Sequence, residues 1–463
     1  MPMSDRRGFL CASGAATLLA GAPAWGAVAS GGAVPRFPGD WEKALTAELA
    51  KANVVGAAIT VVQDGRLRGF FPYGKASIPF DIPVTPTTRF QIGSVGKHVT
   101  VLAVLQLVEA GKLGLDWPIG RAVTGLPDWI AAIPIRDLLG HTGGVPDYEN
   151  GFAWDRPFPR DVFLAGLKAP AFAPGDAWSY SNSGYVLLGY AIEAASGISY
   201  ADYVSQRLFK PAGTPLARPD AAGELILGRA EPYVLEGEKL RHATRMENAV
   251  SSMADGGVLF SALDWAPWLQ AMESDRLVKP SLLAEMFKDG TLKTGSTTGY
   301  GFGWFIDRVR DKPVFHHSGG VPGFVTYVQY YPDQRLLVVA TFNSPPRQSL
   351  RTLVERAVEM FAPNVTTIGL QPRLQSTRRD DRLRAFLAGG AADNLVLPQV
   401  LQGEKASGQE PAKRISGKLE AIDFLESHKA PGGDVSRYRL MINGAPQSRQ
   451  VGWTPDDRIF LFR

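Results

Sequence analysis

The sequence predicts an α/β fold of the α+β type, in which an antiparallel sheet is flanked by helices. Segments of alternating apolar residues lie at both ends of the region between residues 54 and 342, and helical stretches broken by many glycines and prolines lie between them. Strands that follow one another through short turns pair antiparallel, whereas a doubly wound parallel sheet needs a helix at each crossover. The two groups of strands therefore indicate one antiparallel sheet.

The first hairpin is formed by residues 54–62 and 67–73, which flank Asp64 and Gly65. An Asp-Gly pair between alternating segments is typical of a tight β-hairpin turn. A second group of strands is predicted at 300–307, 314–318, 324–331 and 336–342. The segment Pro332-Asp333-Gln334 forms the last turn, and a helix over 349–361 follows.

The pattern of the first 29 residues predicts an export signal that is not part of the fold. Arg6 and Arg7 precede an apolar stretch, and small residues end at Ala29, which predicts cleavage before Ser30 after twin-arginine export to the periplasm. An uncleaved N-terminal anchor is the alternative. The single cysteine, Cys11, lies within this segment. The processed protein would therefore have no disulfide, thiolate nucleophile or zinc–thiolate site.

The remaining chain divides into two predicted domains, a catalytic domain at 30–364 and an accessory α+β domain at 365–463. The composition changes after residue 364, and a charged run over 377–382 is followed by a helical segment, a polar loop and three strands ending at Phe462. The net charge of +4 is too small to indicate nucleic-acid binding.

Ser94 and Lys97 form the first candidate catalytic pair. They lie three residues apart where an extended segment meets a long apolar helix, so their side chains should share one helix face. A lysine that loses its proton in a desolvated site can accept the serine proton. The spacing predicts Ser94 as a nucleophile and Lys97 as its base.

Tyr180 and Asn182 form the second element, 86 and 88 residues after Ser94. A cation such as Lys97 would lower the pKa of Tyr180, which could then move protons to and from the serine. The amide of Asn182 offers donors and an acceptor to a substrate. Whether Lys97 or Tyr180 accepts the first proton stays open, since the two would titrate as a coupled pair.

The third element is His317-Ser318-Gly319-Gly320, at the end of a predicted strand. The backbone N–H groups of Ser94 and Gly320 are candidates for an oxyanion hole. His317 and Gly319 are candidate substrate-binding residues, because glycine lets a substrate approach the strand closely.

Together these motifs resemble the serine β-lactamase and penicillin-binding protein superfamily. The Tyr-x-Asn and His-x-Gly forms are similar to its class C-like branch, which includes β-lactamases, D-aminopeptidases, D-alanyl-D-alanine carboxypeptidases and esterases. The flanking segments 111–116, 138–144 and 299–304 also match, and the resemblance covers about residues 40–362. It implies an α/β sandwich, an all-helical lobe and an active site between them.

The resemblance implies a periplasmic serine hydrolase that cleaves an ester or amide bond through an acyl-enzyme. The alternatives are a β-lactamase or D-alanyl-D-alanine carboxypeptidase, and a non-catalytic binding protein that retains the fold. His317 replaces a lysine usual in β-lactamases, and His316 replaces a glycine common in relatives. An ordinary histidine is neutral at pH 7, so carboxylate binding should be weak and should improve below about pH 6.5.

Two other segments imitate the motifs and are interpreted as loops: Lys293-Thr294-Gly295 and Tyr148-Glu149-Asn150. The histidines lack metal-binding spacing, and His141 is expected to hold a turn by hydrogen bonds. We expect no metal or cofactor. The expected partner is a small-molecule or peptide substrate, such as an ester, a D-amino-acid peptide or a cell-wall fragment, without nucleic acid and without a stable membrane span after processing.

Overall fold

The computed structural model describes residues 34–148, 159–220, 224–243, 254–346, 350–374 and 377–463. Contacts divide the chain after Val34, and the fold described below belongs to the unit Pro35–Arg463. The predicted export signal at 1–29 lies outside the described residues. Within the described ranges, no helix has both the length and the apolar character that a membrane crossing requires.

The elements are numbered in chain order. The strands are β1 (Gly56–Gln63), β2 (Arg66–Ser77), β3 (Ile82–Pro83), β4 (Phe90–Gln91), β5 (Arg218–Pro219), β6 (Tyr233–Glu236), β7 (Lys239–His242), β8 (Val258–Phe260), β9 (Phe305–Val309), β10 (Lys312–Val321), β11 (Phe324–Tyr331), β12 (Leu336–Phe342), β13 (Leu419–Ala430), β14 (Gly433–Ile442), β15 (Ala445–Trp453) and β16 (Ile459–Phe462). The helices are α1 (Gly39–Lys51), α2 (Lys97–Glu109), α3 (Asp128–Ala131), α4 (Ile135–Leu139), α5 (Arg160–Gly166), α6 (Asn182–Ser196), α7 (Tyr200–Tyr203), α8 (Lys210–Ala212), α9 (Trp265–Met272), α10 (Pro280–Leu283), α11 (Leu350–Phe361), α12 (Thr377–Leu387) and α13 (Pro398–Ala406).

The central sheet has seven strands in the order β3-β2-β1-β12-β11-β10-β9. Its pairings are antiparallel, which confirms the predicted fold class. The sheet joins the two groups of strands because β1 pairs with β12, with Ala57 opposite Phe342. This pairing brings the first hairpin next to the last strands of the predicted catalytic domain.

Both faces of this sheet are covered, and side chains alternate between two cores. On one face, Ile59 and Val61 pack with residues of α1 and α11. On the other, Val328 and Val339 pack with α2 and α6. Because both faces are covered, β1 is apolar along almost its whole length instead of alternating.

Two predictions about this region are corrected. The strand predicted over 300–307 begins only at Phe305, because Gly299 and Gly303 adopt positive φ angles of 65° and 75° that interrupt an extended chain. The region between β4 and β9 is mainly helical but not all-helical. It also contains a small sheet in the order β4-β8-β5 and the hairpin β6-β7.

The C-terminal part has a four-stranded sheet in the order β13-β14-β15-β16, where the sequence predicts three strands. Charged residues such as Glu420, Asp423 and Glu426 interrupt the apolar alternation of β13, so its pattern is weak. One face packs against α12 and α13 through a core that includes Phe386, Tyr438, Trp453 and others. This sheet has a hydrophobic core of its own.

The opposite face of the same sheet meets the central sheet at Asp307 of β9. Arg437 and Gln450, opposite each other on β14 and β15, both donate hydrogen bonds to the Asp307 carboxylate. The Nη2 atom of Arg351 lies 3.5 Å from Oδ2 of the same carboxylate. Burial alone would raise the pKa of Asp307, but Arg437 and Arg351 outweigh it and lower the pKa to about 2.

Arg437→Met is expected to destabilise the protein by about 3 kcal/mol or more, because it leaves a buried carboxylate with fewer partners. The measurement is the free energy of urea unfolding at neutral pH. The matched control is Arg439→Met on the same strand, whose ion pair with Asp423 is partly exposed and should contribute about 1 kcal/mol or less. Equal losses in both variants would contradict the buried role of Asp307.

The same carboxylate predicts a pH dependence of stability. Its pKa falls from the ordinary 3.8 to about 2 on folding, so its contribution is complete above about pH 4 and disappears as the pH falls through about 2. At about 1.4 kcal/mol per pKa unit, the contribution is about 2 kcal/mol. Asp307→Asn should abolish this component of the acid-dependent loss.

Candidate active site

Ser94 lies in a short 3-10 turn, Gly93–Gly96, that connects β4 to α2. The sequence predicted Ser94 at the start of the helix, and the structure places it one turn earlier, with α2 beginning at Lys97. Gly93 has a φ of 54°, and a Cβ on it would come within 2.9 Å of the Gly320 amide nitrogen. Glycine at this position lets the turn that carries Ser94 press against β10.

Lys97 is completely buried, and its ammonium group joins two of the sequence motifs. Its Nζ donates to Ser94 Oγ at 3.1 Å, to Asn182 Oδ1 at 2.6 Å and to the Asp255 carbonyl oxygen at 2.7 Å. The two shorter bonds fix the direction of the amine. In its neutral form the amine can keep these two bonds with its N–H groups and turn its lone pair toward Ser94.

Tyr180 precedes α6, where the Ser181 side chain caps the helix by accepting from the Gly184 amide at 3.2 Å. The cap fixes Asn182 as the first residue of α6, next to Lys97. The Tyr180 hydroxyl is buried and has no partner of normal hydrogen-bond geometry among the described residues, although it faces the same cleft as Ser94.

The expectation that Lys97 lowers the pKa of Tyr180 is corrected. Burial raises the pKa of Tyr180 well above its ordinary value, and the nearby Ser94 hydroxyl opposes this only in part. The Lys97 ammonium lies over the Tyr180 ring, 4.9 Å from its centroid, and the phenol oxygen has no hydrogen-bond partner within the described residues. In the free protein Tyr180 is therefore a neutral phenol, able to donate a proton.

His141 holds the turn that supports Tyr180. Its Nδ1 accepts a hydrogen bond from the Ser181 amide at 3.1 Å, and its ring lies 4.3 Å from the Tyr180 ring, measured between centroids. Burial, followed by the charge of Lys97, lowers the pKa of His141 well below its ordinary value. His141 is thus neutral, and it holds the turn by the kind of hydrogen bond that the sequence predicts.

His317 lies on β10 and is buried in the wall of the cleft. Its Nδ1 lies 2.6 Å from the Ser318 carbonyl oxygen, so Nδ1 carries the proton and Nε2 accepts from the Tyr300 hydroxyl at 3.1 Å. Burial, followed by the charge of Lys97, lowers the pKa of His317 to about 3. The expected protonation near pH 6.5 is therefore wrong, and His317 stays neutral across the physiological range.

The glycines of β10 bring the strand against the Ser94 backbone. A Cβ on Gly319 would lie 1.9 Å from the Ile92 carbonyl oxygen and 3.1 Å from the Ser94 amide nitrogen, so no larger residue fits. A Cβ on Gly320 would meet nothing within 4 Å, because this residue faces the open cleft. The two backbone amides proposed from the sequence, those of Ser94 and Gly320, thus belong to two segments in close contact.

These residues surround a cleft of about 360 Å³. Its walls contain five of the predicted site residues, and three further residues that were not predicted as site residues: Asp147, Phe305 and Ser318. Asp147 accepts a hydrogen bond from Asn182 Nδ2 at 3.1 Å. The sequence offers one clue to Asp147, since this carboxylate comes directly before the Tyr148-Glu149-Asn150 segment.

The imitation motifs have other surroundings. Lys293 is exposed in a loop, where its Nζ pairs with Asp176 at 2.8 Å. Tyr148 is buried and donates to Asp255 Oδ2 at 2.5 Å, behind the carbonyl that holds Lys97, while Glu149 and Asn150 lie outside the described residues. Within the described part of the chain, no group of three or more histidines and acidic residues is placed to hold a metal ion.

Residues 41–359 match the family model described as Beta-lactamase. Penicillin-binding protein 4* of Bacillus subtilis is 29% identical over 67% of this chain and 73% of its own length. D-aminopeptidase of Brucella anthropi is 30% identical over 62% of this chain. The matched part spans only 56% of the length of that enzyme.

The fold is similar to that of a solved structure over nearly the whole chain. The octameric penicillin-binding protein homologue of Pyrococcus abyssi has a TM-score of 0.62 and 21% identity, and the match covers 90% of this chain and 96% of that one. The family match covers the segment that holds Ser94, Lys97, Tyr180, Asn182 and His317. The chain therefore belongs to the β-lactamase family, within the serine hydrolase superfamily that also contains the penicillin-binding proteins.

Proposed function

We propose that the protein hydrolyses an ester or amide bond through an acyl-enzyme on Ser94. One observation carries this proposal: Lys97 Nζ lies 3.1 Å from Ser94 Oγ and is held there by Asn182 and the Asp255 carbonyl. A nucleophile with a base in hydrogen-bond reach, oriented by a third group, is the arrangement that covalent catalysis needs.

In the proposed acylation step, Ser94 Oγ forms a bond to the substrate carbonyl carbon and its proton passes to neutral Lys97. The negative charge on the carbonyl oxygen is stabilised by the amides of Ser94 and Gly320. The bond to the leaving group then breaks, and the leaving group receives a proton from Tyr180. The proton that Lys97 took from Ser94 then restores the Tyr180 phenol. In deacylation, water forms a bond to the acyl carbon and gives a proton to Lys97, the bond between this carbon and Ser94 Oγ breaks, and Ser94 Oγ recovers the proton as the acid is released.

The neutral state of His317 favours substrates without a carboxylate beside the scissile bond. A neutral imidazole cannot supply the charge that a lysine offers to an anionic β-lactam. We therefore infer that a small neutral ester is a better substrate than a cephalosporin at about pH 7.5.

A second candidate substrate class is favoured by Asp147. Its carboxylate lies in the cleft wall, where it accepts from Asn182 Nδ2, and it contributes negative potential to the cleft. A substrate with an ammonium group near the scissile bond gains from this potential. A D-amino-acid amide has this chemistry, and the D-aminopeptidase relative makes it the second class to test.

The test is a substrate panel with an aryl ester, a D-amino-acid amide, a D-alanyl-D-alanine peptide and a cephalosporin, each with the wild type and Ser94→Ala. We expect Ser94-dependent hydrolysis, with the neutral ester or the D-amino-acid amide ahead of the cephalosporin in kcat/KM. Efficient cephalosporin turnover without ester or amide hydrolysis would contradict the substrate class. No turnover at all would favour a binding protein.

His317→Lys is expected to raise kcat/KM for a cephalosporin by roughly tenfold, because a lysine adds a charge-assisted bond to the carboxylate. The rate with the neutral ester should change little. In the wild type, the KM for the cephalosporin should show no improvement between about pH 7.5 and 5, because protonation of His317 begins only near its pKa of about 3. A steep gain near pH 6.5 would contradict a buried neutral His317.

We also propose that the protein is exported and has two domains. Arg6, Arg7 and the small residues before Ser30 support twin-arginine export to the periplasm. The separate hydrophobic core of the C-terminal sheet supports an accessory domain at 365–463 beside a catalytic domain at 30–364.

A further inference from the structure

A second cavity, of about 380 Å³, lies between the segment that leads to Tyr180 and the C-terminal sheet with its helix α13. This volume falls within the range of small-molecule sites, which starts at about 300 Å³. Its walls are largely apolar, with Leu292, Val400 and Phe460 among the lining residues, and arginines are set among them. Such a lining suits a ligand with a hydrocarbon body and a polar end.

Two hydrogen-bond donors in this cavity wall are not used. Trp178 Nε1 and Arg463 Nη2 are both buried, and neither has a hydrogen-bond partner in the described part of the chain. Buried donors are almost always paired, so two unpaired donors beside one cavity indicate a missing acceptor. The acceptor must offer oxygen atoms to both groups.

The Arg463 side chain is held in place by two contacts. Its Nη1 donates to the Gly299 carbonyl oxygen at 2.9 Å, and its guanidinium lies 3.9 Å from the centroid of the Trp178 ring. Nη1 is therefore bonded and Cζ lies over the Trp178 ring, while Nη2 has no hydrogen-bond partner in the described part of the chain. A guanidinium fixed in this way can bind a planar carboxylate without a large loss of side-chain entropy.

The charges around the cavity leave it positive. Arg414 is neutralised by a two-bond contact with Glu404, at 2.6 and 2.8 Å. Arg449 instead donates to neutral oxygens of Ser448 and Gln447. In the described ranges, no carboxylate side chain lies within ion-pair distance of either Arg449 or Arg463.

Asp289 lies beyond ion-pair distance from Arg463, and its negative charge offsets the positive charge of Arg463 only in part. Burial lowers the pKa of Arg463 to about 10, although Asp289 opposes this shift. Arg463 is therefore charged at neutral pH, and burial makes a nearby anion favourable.

We propose that this cavity binds a small apolar carboxylate, whose oxygens accept from Arg463 Nη2 and Trp178 Nε1 and whose hydrocarbon packs on Leu292, Val400 and Phe460. The site is separate from the catalytic cleft, although Tyr180 lies in the walls of both. The carboxylate belongs to a second small molecule and not to the group acylating Ser94, so the proposal does not depend on the proposed hydrolysis.

The test is calorimetric titration of the full-length protein with hexanoate and with the uncharged hexanamide. We expect hexanoate to bind at least roughly tenfold more tightly, because only the carboxylate makes charge-assisted bonds. Arg463→Met should lose a similar factor for hexanoate. The control Arg458→Met, on an exposed arginine paired with Asp456, should bind like the wild type.

Other outcomes would overturn the proposal. These are equal affinities for the two probes, no hexanoate binding, or unchanged affinity in Arg463→Met. If the Arg463→Met protein lacks a native unfolding transition, Trp178→Phe is the deciding variant, because it keeps an aromatic ring and removes the Nε1 donor. The Trp178→Phe protein should bind hexanoate several-fold more weakly than the wild type, and unchanged binding would contradict the site. Ser94→Ala should bind hexanoate like the wild type, and a loss there would place the probe in the catalytic cleft.

Discussion

Replacement of Ser94 by alanine is expected to lower kcat by a factor of about 10³ or more with every substrate that the protein hydrolyses. The alanine removes the oxygen that would form the acyl bond and that lies 3.1 Å from Lys97 Nζ. Fold and stability should change little, because Ser94 is partly exposed to the cleft. The measurement is steady-state hydrolysis of the best substrate from the panel.

Ser205→Ala is the matched control for Ser94→Ala. Ser205 is a serine whose Oγ donates to the Ala201 carbonyl oxygen at 2.7 Å in a separate helical segment, so its loss should leave kcat close to the wild-type value. A comparable kcat in Ser94→Ala would show that another group performs the reaction, and would remove the basis of the proposed mechanism.

The second large effect concerns Lys97 and Tyr180. Lys97→Ala and Tyr180→Phe are each expected to slow acylation by roughly 10²-fold or more, and the double variant should lose far less than the product of the two factors. Lys97 would take the serine proton, and the neutral Tyr180 phenol would pass a proton to the leaving group, so either loss interrupts the same transfer. The measurement is the single-turnover acylation rate in the four proteins of the cycle.

Tyr185→Phe provides the control for this cycle. The Tyr185 ring also lies near Lys97 Nζ, at 5.2 Å from the centroid, but its hydroxyl donates to the Leu139 carbonyl oxygen at 2.9 Å. Its loss should cost stability and leave acylation nearly unchanged. Fully multiplicative losses for Lys97 and Tyr180 would show that these two groups act in separate steps.

The first hairpin of the central sheet was predictable because its signal is local. The turn at Asp64-Gly65 and the apolar segments on either side of it indicate antiparallel pairing, and the pairing of Gln63 with Arg66 closes the predicted turn. The fourth C-terminal strand was not predictable, because charged residues interrupt the apolar alternation of β13. These charges are paired by residues of other strands, as Glu426 is by Arg437. The sequence alone does not indicate such long-range pairing.

The sequence predicts which candidate residues lie close together, but it does not predict their electrostatics. The motif spacing indicates Ser94, Lys97, Tyr180 and Asn182, and the structure brings them together around Lys97 Nζ and one cleft. The protonation of Tyr180 and His317 depends on how deeply each ring is buried, which the spacing does not record. Burial reverses the direction expected for Tyr180 and keeps His317 neutral.

The measurement that tests the central claim most directly is the intact mass of the protein after reaction with a fluorophosphonate, followed by peptide mapping. We predict one adduct, located on Ser94, in the wild type, and no adduct in Ser94→Ala under the same conditions. The Lys97→Ala protein should form the adduct more slowly. An adduct of equal yield on Ser94→Ala, or a wild-type adduct mapped to another residue, would contradict the acyl-enzyme on Ser94.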